Sequence, residues 1–385
     1  MGLSFAEIRD NYQAECQRHL DQDAPSPQRL PLRFDDVSPE WLSAVLGGGA
    51  PGARVVGVEF GAEDEGTSSR RHLYLRWNEH GVAAGLPSSV FCKSTMTLES
   101  RYLLGMNGGI AAEVSFYNDV RPGLEIRTPQ TLFAHYDPVT LNSIIIMEDL
   151  AGSVRFGSHE LDLTIEQSRS QLRLLAHLHA RYLDSPELQT SLRDFNDWED
   201  YFAITVDAAG FGPACARGFD AARDVVPARL FERRGEIWAA TEACVDEHRS
   251  LPRTLIHSDV HLKNWYVDAD GEMGLNDWQC SCKGHWSRDL SYVLSTALDP
   301  ENRRLWESEL VAYYIDQLEL AGAPAVDFDT AWTLYRRNLF SALAWWTGTL
   351  GQPPEAPKMQ PEATSREFIR RIATAIDDLD ALDSF

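Results

Sequence analysis

The chain has 385 residues, with 35 Lys plus Arg against 58 Asp plus Glu, a net charge of −23, and 44% hydrophobic residues. At roughly 150 residues per domain this is chain enough for two or three domains or lobes, with a core that needs no disulfide or metal staple, so disordered and mini-protein classes are excluded. The acidic balance repels phosphate backbones and anionic headgroups, which argues against nucleic-acid and membrane-surface binding and leaves a cationic ligand easier to accommodate.

In chain order, Met1–Asp10 mixes charge with apolar residues at helical spacing and lacks the apolar core of a signal peptide. Residues 1–30 read as a helical extension ending in the proline linker Asp23–Pro27. Ser38 caps a helix with Pro39 in its first turn, which runs to Leu46 and stops at Gly47. Gly47–Gly52 spells Gly-x-Gly-x-x-Gly, but a helix precedes it and a strand follows. The order is the reverse of a dinucleotide site, so a helix end and turn is the reading.

Alternating and β-branched runs predict strands at 54–60, 71–77, 89–94, 130–136 and 143–148, with one helix at about 109–121. Beyond residue 152 the pattern turns helical. Thr164 and Gln167 form a capping box, followed by a face of Leu172, Leu175, Ala176, His179, Tyr182 and Leu183, with His177 and His179 as packing residues. A proline-rich loop at 351–361 and an acidic tail close the chain. The expected organisation is α+β: a nucleotide-binding lobe of sheet at 31–150 and a helical lobe at 151–385 carrying the catalytic loop and acceptor site. No apolar run reaches the roughly 18 residues of a membrane span. Six cysteines without a Cys-x-x-Cys pair suit a reducing compartment, so the cytoplasm is the expected location.

The sharpest segment is Leu255–Val267, followed by Gly274–Gln279. Apolar strands flank a polar loop with Asp259 and, five positions on, Asn264; Asp277 follows a hairpin turned at Asp268–Gly271. Three oxygen-bearing side chains brought from two strand ends into one neighbourhood suit Mg²⁺, a hard cation that takes carboxylates and amide oxygens and shares substrate phosphates. Asp259 stands close enough in sequence to accept a hydroxyl proton while the metal holds a nucleotide.

His257-Ser-Asp-Val-His261 with Asn264, Asp277-Trp-Gln279 and Arg288-Asp289-Leu290 resembles the aminoglycoside phosphotransferase, choline kinase and ecdysteroid-kinase-like superfamily, small-molecule relatives of protein kinases. The resemblance covers about residues 55–300 and implies a protein-kinase-like two-lobed fold. It also implies Asp259 as catalytic base, with Asn264 and Asp277 binding magnesium. One departure is Ser258, where the family usually has glycine.

Upstream parts are sought on physical grounds. A turn with glycine between two strands lets backbone amides approach phosphates, and Gly61–Ser69 offers Gly66, Thr67, Ser68 and Ser69, although Glu63, Asp64 and Glu65 repel phosphate unless they face solvent. Lys93 ends an apolar strand, and Glu113 lies on the apolar face of the lobe's single predicted helix. A mutual ion pair is the economical arrangement for two such charges and would aim the ammonium at the α- and β-phosphates. The segment Ser143–Leu150 resembles the family's hinge, which implies that backbone groups around Glu148 and Leu150 bond the adenine edge.

The expected protein is thus a kinase of a small hydroxylated molecule, using ATP or another nucleoside triphosphate and Mg²⁺. Two alternatives stand beside it: a catalytically inactive kinase-like binding protein, and a metal-dependent hydrolase using His257, Asp259 and His261, joined by Cys280, Cys282 and His285. Asp194, Asp197, Glu199 and Asp200, clustered with Phe195, Trp198, Tyr201 and Phe202 and joined by Trp345 and Trp346, suggest contacts for a cationic acceptor.

Overall fold

The computed structural model describes residues 3–20, 29–353 and 359–385; the Asp23–Pro27 linker and the middle of the proline-rich loop at 351–361 lie outside them. The chain divides into two compact units, Met1–Gly123 with Pro129–Gly152, and Leu124–Thr128 with Ser153–Phe385.

The first unit is built on an antiparallel sheet of β1 (Val55–Phe60), β2 (Asp64–Glu65), β3 (Ser69–Trp77), β4 (Ser89–Ser94), β5 (Thr131–Tyr136) and β6 (Ser143–Glu148). Its strand order is β1-β3-β4-β6-β5, and β2 pairs only with β3. Period-two alternation decides the faces. Leu73, Leu75, Trp77, Val90, Cys92, Ile144 and Ile146 pack on one side against Phe34, Val37, Trp41 and Leu42. Phe91 and Lys93, which alternate with the core residues of β4, stand on the other.

The helix predicted at 109–121 is shorter and has company. Gly109–Ser115 is helical, Phe116–Val120 continues as a wider turn and Arg121–Gly123 as a tighter one; Leu98–Gly105 forms a further helix capped by Thr97. Glu113 therefore does not lie on the unit's only helix. The sequence Gly105-Met-Asn-Gly-Gly109 separates the two, glycine being the weakest continuation of a helix after proline. Leu98–Gly105 carries the fully buried Arg101, whose guanidinium pairs with Glu15 of the N-terminal helix Phe5–Leu20 and lies 4.7 Å from the Tyr12 ring. That helix is docked by a buried charge.

The second unit is mostly helical. Ile165–Tyr182 begins at the predicted Thr164–Gln167 capping box. Ser287–Ala297 is buried along its whole length and packs against Phe328–Leu350, which also holds Phe211–Ala221 and Glu362–Asp378. Short strands frame the polar loop: β7 (Arg155–Phe156), β8 (Thr254–Ile256), β9 (Trp265–Val267), β10 (Met273–Leu275) and β11 (Cys282–Gly284). β9 and β10 form the hairpin turned at Asp268–Gly271, and β8 pairs with β11. Among the described residues no helix is long and apolar enough to cross a membrane.

Candidate active site

In the second unit the loop 257–264, between β8 and β9, is held from below. Asp289, on the buried helix Ser287–Ala297, accepts the backbone N–H groups of His257 and Ser258, each at 2.8 Å. Burial raises the Asp289 carboxyl, but its hydrogen bonds from His179 and the His257 backbone outweigh it, so the group stays below its ordinary value. A carboxylate only accepts, so His179 Nε2 donates to it at 3.1 Å and Nδ1 accepts the Tyr314 hydroxyl at 2.7 Å. His179 is thus buried as expected, with a second task of orienting Asp289, whereas His177 is exposed rather than packed.

Ser258 adopts φ +61°, the left-handed region that favours glycine, which accounts for the glycine usual in the resembling family. Here the serine hydroxyl donates to the Cys280 carbonyl at 2.6 Å, and Arg288 donates to the Ser258 carbonyl at 3.0 Å. These bonds hold the turn that glycine would enter freely.

His257 is no metal ligand. Nε2 donates to the Asn276 carbonyl at 2.9 Å, Nδ1 accepts the Asp259 N–H at 3.2 Å, and burial lowers the ring's pKa, so it stays neutral with both nitrogens engaged. Among the described residues no group of three His, Cys, Asp or Glu side chains is arranged to hold an ion. The hydrolase reading is corrected accordingly.

The Asp259 carboxylate accepts the Tyr292 hydroxyl at 3.1 Å and the Asn264 amide at 3.3 Å, and His261 Nε2 lies 3.5 Å away. Burial pushes this carboxyl up, but the attraction and hydrogen bond of His261, with help from Arg288, hold it well below the usual carboxylate range. Tyr292 is itself pushed well above its ordinary value by burial, so it remains a donor.

The hairpin brings Asn264 and Asp277 together. Trp265 pairs with Leu275, and the Asn276 N–H reaches the Asn264 carbonyl at 2.9 Å, which sets Asp277 one residue beyond Asn264's partner. The Asn264 amide nitrogen also donates to the Asp259 carbonyl at 2.8 Å, so the amide oxygen is the end able to accept or to ligate. Asp277 has φ +64°, a strained conformation for a non-glycine residue and one often found at functional sites.

In the first unit, Lys93 Nζ lies 2.8 Å from Glu113 Oε1 with both side chains buried. The glycine turn is tighter than expected: Asp64 and Glu65 pair with Arg70 and Ser69, so Gly66, Thr67 and Ser68 form a hairpin tip, and Ser68 and Ser69 are buried. Two of the acids feared as repulsive carry their own counter-ions, Glu63 with Arg71 at 2.7 Å and Asp64 with Arg70 at 3.1 Å. Glu148 ends β6, where its N–H and its carboxylate both bond the backbone of Gln130. Any adenine contact from Glu148 therefore falls to its carbonyl. Leu150 follows in the half-buried segment after β6.

In the acidic and aromatic cluster offered for a cationic acceptor, the acids stand beside the protein's own cations. Asp197 lies 3.4 Å from Arg253 and 3.6 Å from Lys283, Glu199 pairs with Arg253, Asp200 lies 4.0 Å from Arg249, and Asp194 faces Arg193 at 3.7 Å. Phe195, Trp198, Tyr201 and Phe202 are core residues; Trp345 packs on Phe202, and Trp346 is buried against His261 and Phe368. The cation on Trp198 is the protein's own Arg288, 4.7 Å from the ring centroid. Sequence reasoning missed these partners, and it missed Tyr292 and the bond from His179 to Asp289 beside the loop, because no motif marks them.

A sheet unit with a buried Lys–Glu pair and a helical unit with an Asp-x-x-x-x-Asn loop and a following Asp define a protein-kinase-like phosphotransferase. The chain belongs to the phosphotransferase enzyme family, whose model matches residues 110–328. No curated protein sequence matches the chain. Among solved structures, a Ralstonia eutropha JMP134 protein named after the aminoglycoside phosphotransferases is similar over 89% of this chain and 96% of its own, at 13% identity and a TM-score of 0.51. Choline kinase of Streptococcus pneumoniae (12% identity, 84% and 94% coverage, TM-score 0.46) and ethanolamine kinase of Plasmodium vivax (14%, 84% and 81%, 0.45) resemble it less.

Proposed function

We propose that the protein is a kinase that moves the γ-phosphate of ATP to a hydroxyl of a small molecule, with Asp259 as the base. The observation that carries this reading is the placement of Asp259 beside Asn264, with Asp277 across the hairpin, on a loop fixed by Asp289. Its lowered pKa keeps Asp259 ionised, so the carboxylate can orient an acceptor hydroxyl and take the proton as that oxygen bonds phosphorus. The acceptor oxygen then bonds Pγ, the bond from Pγ to the bridging oxygen breaks, and its electron pair leaves with ADP.

One carboxylate, Asp277, and one amide oxygen, Asn264, fit Mg²⁺, which takes hard oxygen ligands and completes its shell with phosphates and water. When bound, the ion would neutralise charge on the nucleotide phosphates. Lys93, steadied by Glu113, is assigned to the α- and β-phosphates, the tip Gly66–Ser69 to backbone and hydroxyl contacts with phosphate, and the segment Glu148–Leu150 to the adenine edge.

The test is thermal stabilisation by nucleotides with and without Mg²⁺, followed by a panel of alcohols. A nucleotide at a hundredfold excess over its dissociation constant adds about 2.7 kcal/mol. Asp259→Asn should keep nucleotide binding and lower transfer by roughly 10²–10⁴, while Asp277→Asn should weaken Mg-nucleotide binding as well. Full activity in Asp259→Asn removes it as base; a wild type that binds Mg-ATP yet phosphorylates nothing in a broad panel favours an inactive binding protein.

A further inference from the structure

The sheet face that carries Lys93 carries a second cation. Arg70 lies directly across the β3–β4 ladder from Lys93, so the two side chains stand on one face with Cα atoms about 5 Å apart. The Arg70 guanidinium is folded over the hairpin tip: a Cβ added at Gly66 would meet Nη2 at 2.9 Å. On its other side Nε lies 3.1 Å from Asp64 Oδ2, and Asp64 is 66% exposed against 30% for Arg70.

Charge gives this arrangement its meaning. Nucleotide phosphates would enter a protein of net charge −23, and the charge of Lys93 is already offset by its buried partner Glu113. An ion pair whose carboxylate is as open to water as that of Asp64 contributes little, so exchanging it for phosphate oxygens is readily reversible. The planar fork of arginine can then hold two phosphate oxygens at once, which a lysine cannot.

We propose that Arg70 is a second phosphate-binding residue of the nucleotide site, held over the glycine turn by Asp64 until a nucleotide phosphate takes the place of that carboxylate. This rests on the nucleotide-binding reading above and adds a residue to it.

Calorimetric titration of Mg-ATP and of adenosine into the full chain tests it. Arg70→Ala should weaken Mg-ATP at least about ten- to a hundredfold, the loss expected from even one of its charge-assisted hydrogen bonds, and leave adenosine unchanged. Arg70→Lys, which keeps the charge and the fold but not the fork, should fall between. Asp64→Asn should bind Mg-ATP a few-fold more tightly, since it frees Arg70 and removes a negative charge. Arg76→Ala, a cation lost from the exposed far end of the same strand, should bind as wild type. Wild-type affinity for Mg-ATP in Arg70→Ala, or an equal loss in Arg76→Ala, would overturn the assignment while leaving the kinase reading intact. A wild type that binds no nucleotide would overturn the kinase reading and Arg70 with it.

Discussion

The carboxylate of Asp289 accepts the backbone N–H of His257 at 2.8 Å across 32 positions of sequence, and through it a helix buried along its whole length sets the loop that carries Asp259. The same carboxylate serves Ser258 and His179, so one side chain satisfies two backbone donors and one ring.

Asp289→Asn puts an amide N–H₂ against one of those donors. The unmet buried groups should destabilise the protein by about 1–3 kcal/mol. Because the loop shifts while the first unit is untouched, kcat should fall more than the nucleotide KM rises. Denaturant unfolding and steady-state kinetics check this, and a variant as stable and active as wild type would show that the loop holds itself.

Lys93 and Glu113 should behave as a buried unit. Lys93→Met or Glu113→Leu alone leaves a charge without its partner and should cost roughly 3–5 kcal/mol, whereas the double variant should cost clearly less than the sum. Additive losses in a double-mutant cycle would mean that the 2.8 Å contact does not couple them.

Ser258 separates backbone strain from hydrogen bonding. Ser258→Ala loses the bond to the Cys280 carbonyl and keeps the left-handed conformation; Ser258→Gly loses the bond but is at ease there. Alanine should therefore be the less stable of the two by about 1 kcal/mol. Equal stabilities would refute a strained turn.

His248 makes the fold acid-sensitive. It is fully buried; Nε2 donates to Asn338 at 2.9 Å and Nδ1 accepts the His285 N–H at 3.1 Å, so protonation of Nδ1 breaks the second bond. Burial pushes its pKa down to about 4, from 6.5 when exposed. The unfolded chain therefore takes up a proton that the folded chain refuses. Stability from this group is complete above pH 6.5 and is lost as pH falls toward 4, by about 3 kcal/mol at roughly 1.4 kcal/mol per pH unit. Unfolding curves for wild type and His248→Asn should converge over that interval; parallel curves would place the sensitivity elsewhere.

Signals that repeat locally were legible in the sequence. Alternation in 71–77 and 89–94 marked strands of one antiparallel sheet, and the spacing of Asp259, Asn264 and Asp277 around a hairpin marked residues that the β9–β10 register brings together. The Lys93–Glu113 contact followed from two charges at apolar positions, since burial leaves each little choice but the other. The helix Leu98–Gly105 escaped because it is short and its buried face includes Ser100 and Arg101, which break the apolar pattern that would announce it.

Composition and pattern thus determined the class of fold and the place of the polar loop 257–264, because periodicity and motif spacing are written over a few neighbouring residues. Which charges remain open for a ligand was decided only in three dimensions. Arg253 meets Glu199 over 54 positions and Arg101 meets Glu15 over 86, pairings no local pattern encodes, because they depend on which long side chains reach each other once the cores have closed. Among the acids that looked ready for a cationic acceptor, the buried Glu199 is paired with Arg253 for that reason.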